Sequence, residues 1–328
     1  MVTDATLDRE GGVIVVDAGS PGVYRYDSAG VFLGALGRAG QGPGEYRQPV
    51  GAEVLADGRV VVWDPGNGRV VLYGGGPSAR SFRVSNVALM AGRSLYVVGD
   101  SLVLIRARLP GAGASSSLGF LVYDLEGRPR DPIRLPWPPA KGGEAGLGGA
   151  VVPLTPTDTW IVTHEGDIVA SHRSEYEIIR MNLRGDTLAV FRLEVKPPRV
   201  FPGEADAYRR AVEFVMRRRD PGWKWPRSLE LPEVKPVIDD LVPIVRGGYA
   251  VVLHGPGVEL PESDTPGRVN WGEERVVDVY GGRGDLVGSF SLPAGLRLIR
   301  ILRDRIVATE RDRLDRITVK VFRFVRPS

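Results

Sequence analysis

Side chains suited to acid–base or metal chemistry are scarce in this chain, which has three histidines, His164, His172 and His254, and no cysteine. No two histidines stand four residues apart, the spacing that sets a pair of imidazoles on one helix face around a zinc ion. Without thiols there is neither a disulfide framework nor a thiolate metal or redox centre. The carboxylates that could join His254 around a divalent ion, or serve as a general base, are Glu165, Asp239 and Asp240. Acidic residues are also ordinary turn formers, and His164 and His172 fall in or beside neighbouring strands as structural residues. The stretch Gly142-Gly143-Glu144-Ala145-Gly146 lacks the lysine and the strand-to-helix setting of a phosphate loop. No Ser, His and Asp set can be assigned. Composition therefore points to binding, with no catalytic residue, metal ligand or cofactor named.

Binding chemistry is concentrated in one place. Residues 196–236 hold ten basic and six acidic side chains, an excess that exceeds the net +3 of the whole chain. Within them Ala205, Tyr208, Val212, Val215 and Met216 recur at helical spacing over residues 204–219, with acids in the first turn and Arg217-Arg218-Arg219 in the last. Asp220-Pro221-Gly222 ends that helix, and Trp223-Lys224-Trp225-Pro226-Arg227 follows as a basic, aromatic loop. One account packs the Tyr208 face over a scaffold and leaves the arginines solvated. A sharper account is a patch for an acidic protein or other polymer, with Arg209, Arg210, Arg217, Arg218, Arg219, Lys224 and Arg227 supplying field and Trp223, Trp225 and Trp271 as anchors. Aromatics among arginines could also stack nucleic-acid bases, but the rest of the chain is slightly acidic, which argues against that partner.

The elements that must position these residues are strands. Aromatic-bearing apolar strands such as Val23-Tyr24-Arg25-Tyr26, Val70-Val71-Leu72-Tyr73 and Phe120-Leu121-Val122-Tyr123 recur six times along the 328 residues, five of them followed by a glycine turn and a second strand. A repeat of roughly 40 to 50 residues built of short strands is the signature of a β-propeller. The fold expected is all-β, a single six-bladed β-propeller domain over residues 1–328, with one helical insertion between blades four and five. The blades are read at about 5–37, 51–84, 94–137, 159–195, 237–292 and 296–324, and the insertion at 197–236. The outer turns Asp27-Ser28-Ala29-Gly30, Asp124-Leu125-Glu126-Gly127 and Asn182-Leu183-Arg184-Gly185 suit a type I turn with a left-handed glycine after it.

The run Gly40-Gln41-Gly42-Pro43-Gly44-Glu45 within residues 37–49, then Asp57-Gly58-Arg59-Val60 and Asn67-Gly68-Arg69-Val70, resembles an NHL-type repeat. It is similar to bacterial six-bladed β-propeller proteins, closely over residues 13–73 and in strand rhythm elsewhere. The resemblance implies a scaffold that mostly binds proteins or other polymers, often outside the cytoplasm, and implies no catalytic set. Gluconolactonase-like and streptogramin-lyase-like propellers place a metal or a catalytic histidine at the channel mouth. A metal-dependent hydrolase or lyase using Glu165, Asp239, Asp240 and His254 is therefore the alternative.

Antiparallel order also sorts the loops. With strands a to d from the channel outward, the b–c and d–a connections share one face of the disc. The long connections at residues 109–118, 137–156, 197–236 and 255–274 all fall there, so that face is the expected binding surface. The sixth blade shows no d strand and only four residues precede the first, so an upstream closing strand, or else a tolerated three-stranded blade, is expected. No stretch approaches the roughly 18 apolar residues of a membrane span, no export signal opens the chain, and a monomer is expected.

Overall fold

A computed structural model describes residues 1–74, 79–84, 94–110, 116–135, 152–245 and 247–324. Strands β1 (Val2–Leu7), β2 (Val13–Asp17), β3 (Gly22–Tyr26) and β4 (Phe32–Ala35) form the first antiparallel sheet. The connection after it carries a two-residue parallel pair, β5 (Arg38–Ala39) and β6 (Glu45–Tyr46). The second sheet is β7 (Gly51–Val54), β8 (Val60–Asp64), β9 (Arg69–Tyr73) and β10 (Arg80–Arg83). The third is β11 (Leu95–Val98), β12 (Leu102–Pro110), β13 (Ser116–Asp124) and β14 (Pro129–Arg134), and the fourth β15 (Thr159–Val162), β16 (Ile168–Ser171), β17 (Tyr176–Met181) and β18 (Thr187–Leu193).

Helix α1 (Pro202–Arg217) follows. The fifth sheet pairs β19 (Ile238–Pro243), β20 (Tyr249–Leu253), β23 (Arg275–Tyr280) and β24 (Leu286–Leu292), with a small hairpin, β21 (Gly257–Glu259) and β22 (Trp271–Glu273), inserted between its second and third strands. The sixth sheet has three strands among the described residues, β25 (Leu296–Leu302), β26 (Arg305–Arg311) and β27 (Ile317–Arg323). The chain is thus a six-bladed β-propeller with one helix between blades four and five. The innermost strand of blade one starts at Val2, so most of the residues read as preceding that blade belong to it.

Alternation explains why these strands read as continuous apolar runs. In β8 every residue is buried. Val61 and Trp63 point into a core shared with Val97, Val103 and Ile105 of blade three, whereas Val60 and Val62 point into a core shared with Ile14, Val16 and Val23 of blade one. Side chains on a strand alternate between faces, so a sheet sandwiched between two others needs apolar residues at both parities. The same arrangement recurs around the ring: blades three, four and five share one core, blades five and six a second, and Ala5 and Leu7 of blade one meet Val307 of blade six.

The outer turns close as their sequences direct. Asp27 Oδ1 accepts the backbone N–H groups of Ala29 at 2.9 Å and Val31 at 2.8 Å, and Gly30 takes the left-handed conformation at φ 84°. Gly127 and Gly185 occupy the equivalent positions at φ 83° and 90°. A side chain there would meet the left-handed penalty that glycine escapes.

Closure of the ring adds a polar element to the apolar one. Arg300 on β25, 1% exposed, donates from Nη2 to Asp4 Oδ2 of β1 at 3.0 Å and from Nη1 to Glu53 of β7. Asp4 Oδ2 also accepts the N–H of Ala52 at 3.1 Å, so one guanidinium ties blades six, one and two together. Removing one member of a buried charge cluster strands the others and costs about 3–5 kcal/mol. Arg300→Met should lose that much in equilibrium urea unfolding, whereas Arg323→Met, whose ion pair with Asp304 lies at the surface, should lose no more than about 1 kcal/mol. Equal losses would show that closure does not depend on Arg300.

Candidate functional site

Helix α1 begins at Pro202, two residues before the expected start, because proline's fixed φ suits the first helical position and its missing N–H is not needed there. The carboxylate of Glu204 accepts the N–H of Phe201 at 3.4 Å. The helix and the β21–β22 hairpin lie on the same rim and interlock. Trp271 of β22 stacks on Phe201 with centroids 6.0 Å apart and planes 28° off parallel. A Cβ at Gly203 would stand 3.1 Å from the Trp271 ring, so glycine allows the close approach. Two of the four long connections, residues 197–236 and 255–274, are therefore seen to share a face. Of the expected loop at 109–118, residues 109–110 and 116–118 instead continue the paired strands β12 and β13, leaving only 111–115 outside the described residues; the loop at 137–156 lies almost wholly outside them.

Beneath α1 is a buried ionic network. Lys235 Nζ, fully buried, lies 2.7 Å from Glu204 Oε1 and 3.0 Å from Glu273 Oε1, and donates to the carbonyl of Gly255 at 3.1 Å. The other oxygen of Glu273 sits 2.8 Å from His254 Nδ1, whose Nε2 is 3.5 Å from Asp239 Oδ1. Arg275 Nε donates to Asp239 Oδ2 at 2.7 Å. Burial by itself would raise the Glu273 carboxyl, but the hydrogen bond and charge of His254, with Arg275 and Lys235, hold it down to about 2. Tyr208, on the inner face of α1, is pushed up to about 12 by burial and by Glu273 and Glu204. The network ties the helix to blade five.

Its carboxylates do not suit a divalent cation. Lys235, His254 and Arg275 already occupy both oxygens of Glu273 and both of Asp239. Among the described residues no group of three or more His, Asp or Glu is arranged to hold a metal. The other candidates are dispersed. Glu165 and His164 lie in the turn between β15 and β16, on the face opposite the insertions. His172 pairs with Asp158 at 2.7 Å. Asp240 keeps partial solvent contact but is enclosed by protein. Its carboxyl is raised by that burial and by Asp239, against the opposing charges of Arg297 and Arg173.

The outward stripe of α1 builds a different site. Ala207, Arg210, Ala211, Phe214, Arg217 and Arg218, with Glu213, line a groove of about 520 Å³ closed on its far side by Gly267 and Arg268. Phe214 is 40% exposed and lies over Gly267, whose φ of 77° and lack of a Cβ admit the ring. Arg217 is engaged by Glu213 at 2.7 Å, and its Nε donates to the carbonyl of Trp223 at 3.1 Å. Arg268 is held by the carbonyl of Asp312. Arg210 and Arg218 have no ion pair among the described residues.

The remaining expected site residues divide. Arg209 faces Asp206 at 3.2 Å and does not line the groove. Arg219, Lys224 and Arg227 are exposed beyond the helix end. Trp223 and Trp225 meet edge to face at 6.4 Å and pack with Ala205, Tyr208 and Val212 around Val152 and Leu231. Trp225 Nε1 donates to the carbonyl of Leu229 at 2.6 Å. These tryptophans, like Trp271, are half-buried within the insertion. Sequence reasoning missed Phe214 and Arg268. The four-residue spacing of Arg210, Phe214 and Arg218 carried the signal for the first, and nothing local carried it for the second.

No protein family matches the chain, and no curated protein matches its sequence. Solved structures do resemble it. A duf4221-family protein from Bacteroides vulgatus aligns at 10% identity over 99% of this chain and 94% of its own, with a TM-score of 0.56. A gluconolactonase from Xanthomonas campestris aligns at 12% identity over 94% and 82%, TM-score 0.46, and a virginiamycin B lyase from Staphylococcus aureus at 10% over 99% and 80%, TM-score 0.43. At such identities the likeness bears on the propeller fold alone. The NHL name is matched by no family.

Two pH effects follow from the network. Glu273 has a depressed carboxyl in the fold, so its stabilisation is complete above the ordinary value of 4.5 and disappears as pH falls toward about 2. That amounts to on the order of 3 kcal/mol, and Glu273→Gln should flatten the stability curve by about that much between pH 5 and pH 2 in denaturant titrations. Asp240 is the reverse case: its raised carboxyl makes ionisation costly to the fold. Asp240→Asn should raise the melting midpoint at neutral pH more than at pH 3, and an equal change at both would contradict the assignment.

Proposed function

We propose that this chain is a non-catalytic binding protein that takes an extended acidic macromolecule on the insertion-bearing face, along the groove between α1 and the residues following β21. The observation that carries this reading is the pairing of two uncommitted arginines, Arg210 and Arg218, with an exposed Phe214 between them in one 520 Å³ groove. A charged rim around an apolar centre is the usual composition of an interface. Arg219, Lys224 and Arg227 extend the positive field beyond the helix and steer an anionic partner toward it. Trp223, Trp225 and Trp271 act here as supports that hold α1 in place. The alternative, a metal-dependent hydrolase or lyase at the channel mouth, is disfavoured by side-chain chemistry, because lysine, arginine and histidine already engage the carboxylates there.

Immobilised poly-L-glutamate is the direct probe. It should bind the protein at low salt and release it as salt screens the field, the Debye length being about 10 Å at 0.1 M. Arg210→Glu with Arg218→Glu should weaken binding by at least about tenfold, roughly 1.4 kcal/mol, while the melting midpoint stays put, since neither arginine pairs within the fold. Phe214→Ala should weaken it with an unchanged salt dependence. Undiminished affinity in the double variant would refute the groove.

A further inference from the structure

The motif that resembles NHL-type repeats builds a wall of a second concavity, on blade two, across the ring from α1. Residues 37–49 are held by side chains of that blade. Arg69 Nη2 donates to the carbonyls of Gly42 at 2.6 Å and Glu45 at 2.7 Å, Asn67 Nδ2 to Gly40 at 3.0 Å, and the Tyr73 hydroxyl to Gly44 at 2.8 Å. Asp64, fully buried, accepts the backbone N–H groups of Arg47 at 3.0 Å and Gln48 at 2.7 Å. Gly37 sits at φ 80° and a Cβ there would be 2.3 Å from the Gly44 carbonyl, so the loop has one available path. These bonds hold the wall in place without any ligand.

Against it lies a cavity of about 430 Å³ lined by Arg47, Arg69, Arg83, Gln41, Asn67 and Ser81, with Gly66 and Phe82 completing it. Three arginines line one space and none of the lining residues is a carboxylate. Arg47 and Arg83 have no ion pair among the described residues, and Arg69 is satisfied only by neutral carbonyls, its buried Nε having no hydrogen-bond partner. Like charges gathered in a concavity repel one another, and an oxyanion is the group that relieves this. Planar guanidinium forks match the oxygens of phosphate or sulfate in paired hydrogen bonds. Gln41, Asn67 and Ser81 add amide and hydroxyl groups suited to the hydroxyls of a sugar, and the volume exceeds what a lone oxyanion fills.

We infer that this pocket binds a small phosphate or sulfate ester of about monosaccharide size, anchored by Arg47, Arg69 and Arg83. The site is separate from the α1 groove and stands or falls independently of it. Calorimetric titrations at matched ionic strength with inorganic phosphate, inorganic sulfate, glucose 6-phosphate and glucose test it. Phosphate should bind saturably at one site, glucose 6-phosphate several-fold more tightly, and glucose not at all. A stronger response to sulfate than to phosphate would identify a sulfate ester as the ligand class. Arg47→Ala with Arg83→Ala should weaken glucose 6-phosphate binding at least tenfold while leaving the ligand-free melting midpoint and poly-L-glutamate binding unchanged. Arg69→Lys, which keeps charge and loses the fork, should weaken it several-fold. Absence of saturable binding to every anion, or equal binding by the double variant, would overturn the proposal.

Discussion

A four-stranded sheet with apolar residues on both faces cannot face water on either, and this constraint governs the whole molecule. Each blade buries its two faces only between two neighbours, so the sheets must follow one another round a circle until the last meets the first. The alternation within β8, with Val60 and Val62 facing blade one and Val61 and Trp63 facing blade three, shows the requirement at single-residue scale. Where the circle closes, the apolar contact is small, limited to Ala5, Leu7, Val307 and a few half-buried neighbours. There the buried guanidinium of Arg300, shared between Asp4 and Glu53, joins blade six to the first two blades, which lie at the other end of the chain.

A ring stabilised in this way leaves its connections free to vary, and the variation is one-sided. The turns joining a to b and c to d are short, whereas the helix and the β21–β22 hairpin both rise from the other rim. The helical insertion has a small apolar cluster of its own, in which Trp223, Trp225 and Leu231 pack with Ala205, Tyr208 and Val212. The two insertions are joined to each other and to blade five by aromatic stacking of Trp271 on Phe201 and by the buried chain of charges from Glu204 through Lys235 and Glu273 to His254 and Asp239. Such a network suits a junction more than a reaction centre. Its carboxylates are engaged by Lys235, His254, Arg275 and the backbone N–H of Phe201, which positions the helix.

Charge on this rim is accordingly of two kinds. Buried charges are paired or hydrogen-bonded within the fold and structural. The cations left over, Arg210 and Arg218 at the helix and Arg47 and Arg83 on blade two, face concave space and neutralise nothing within the described fold. The same face thus offers two separated basic sites on a scaffold whose rigidity keeps them fixed relative to each other.

The repeating aromatic strands, the Asp-to-Gly turns and the helical spacing of residues 204–219 were legible in the sequence because each is a local pattern with a period or a φ requirement of its own. So was the sidedness of the two long connections at 197–236 and 255–274, which follows from antiparallel alternation alone. The roles of individual side chains were not legible. Trp223 and Trp225 read as exposed anchors yet pack against Tyr208 and Val212, because which face of α1 turns inward depends on the blades beneath it. Arg209 and Arg210 are adjacent in sequence, but one faces Asp206 while the other lines the groove. Arg268 and the three arginines of blade two come together from strands and loops far apart along the chain. Local chemistry determined the elements and their order. Only the tertiary structure decided which charges were spent on holding the ring and its insertion together and which remained for a ligand, since that partition depends on distances closed by folding.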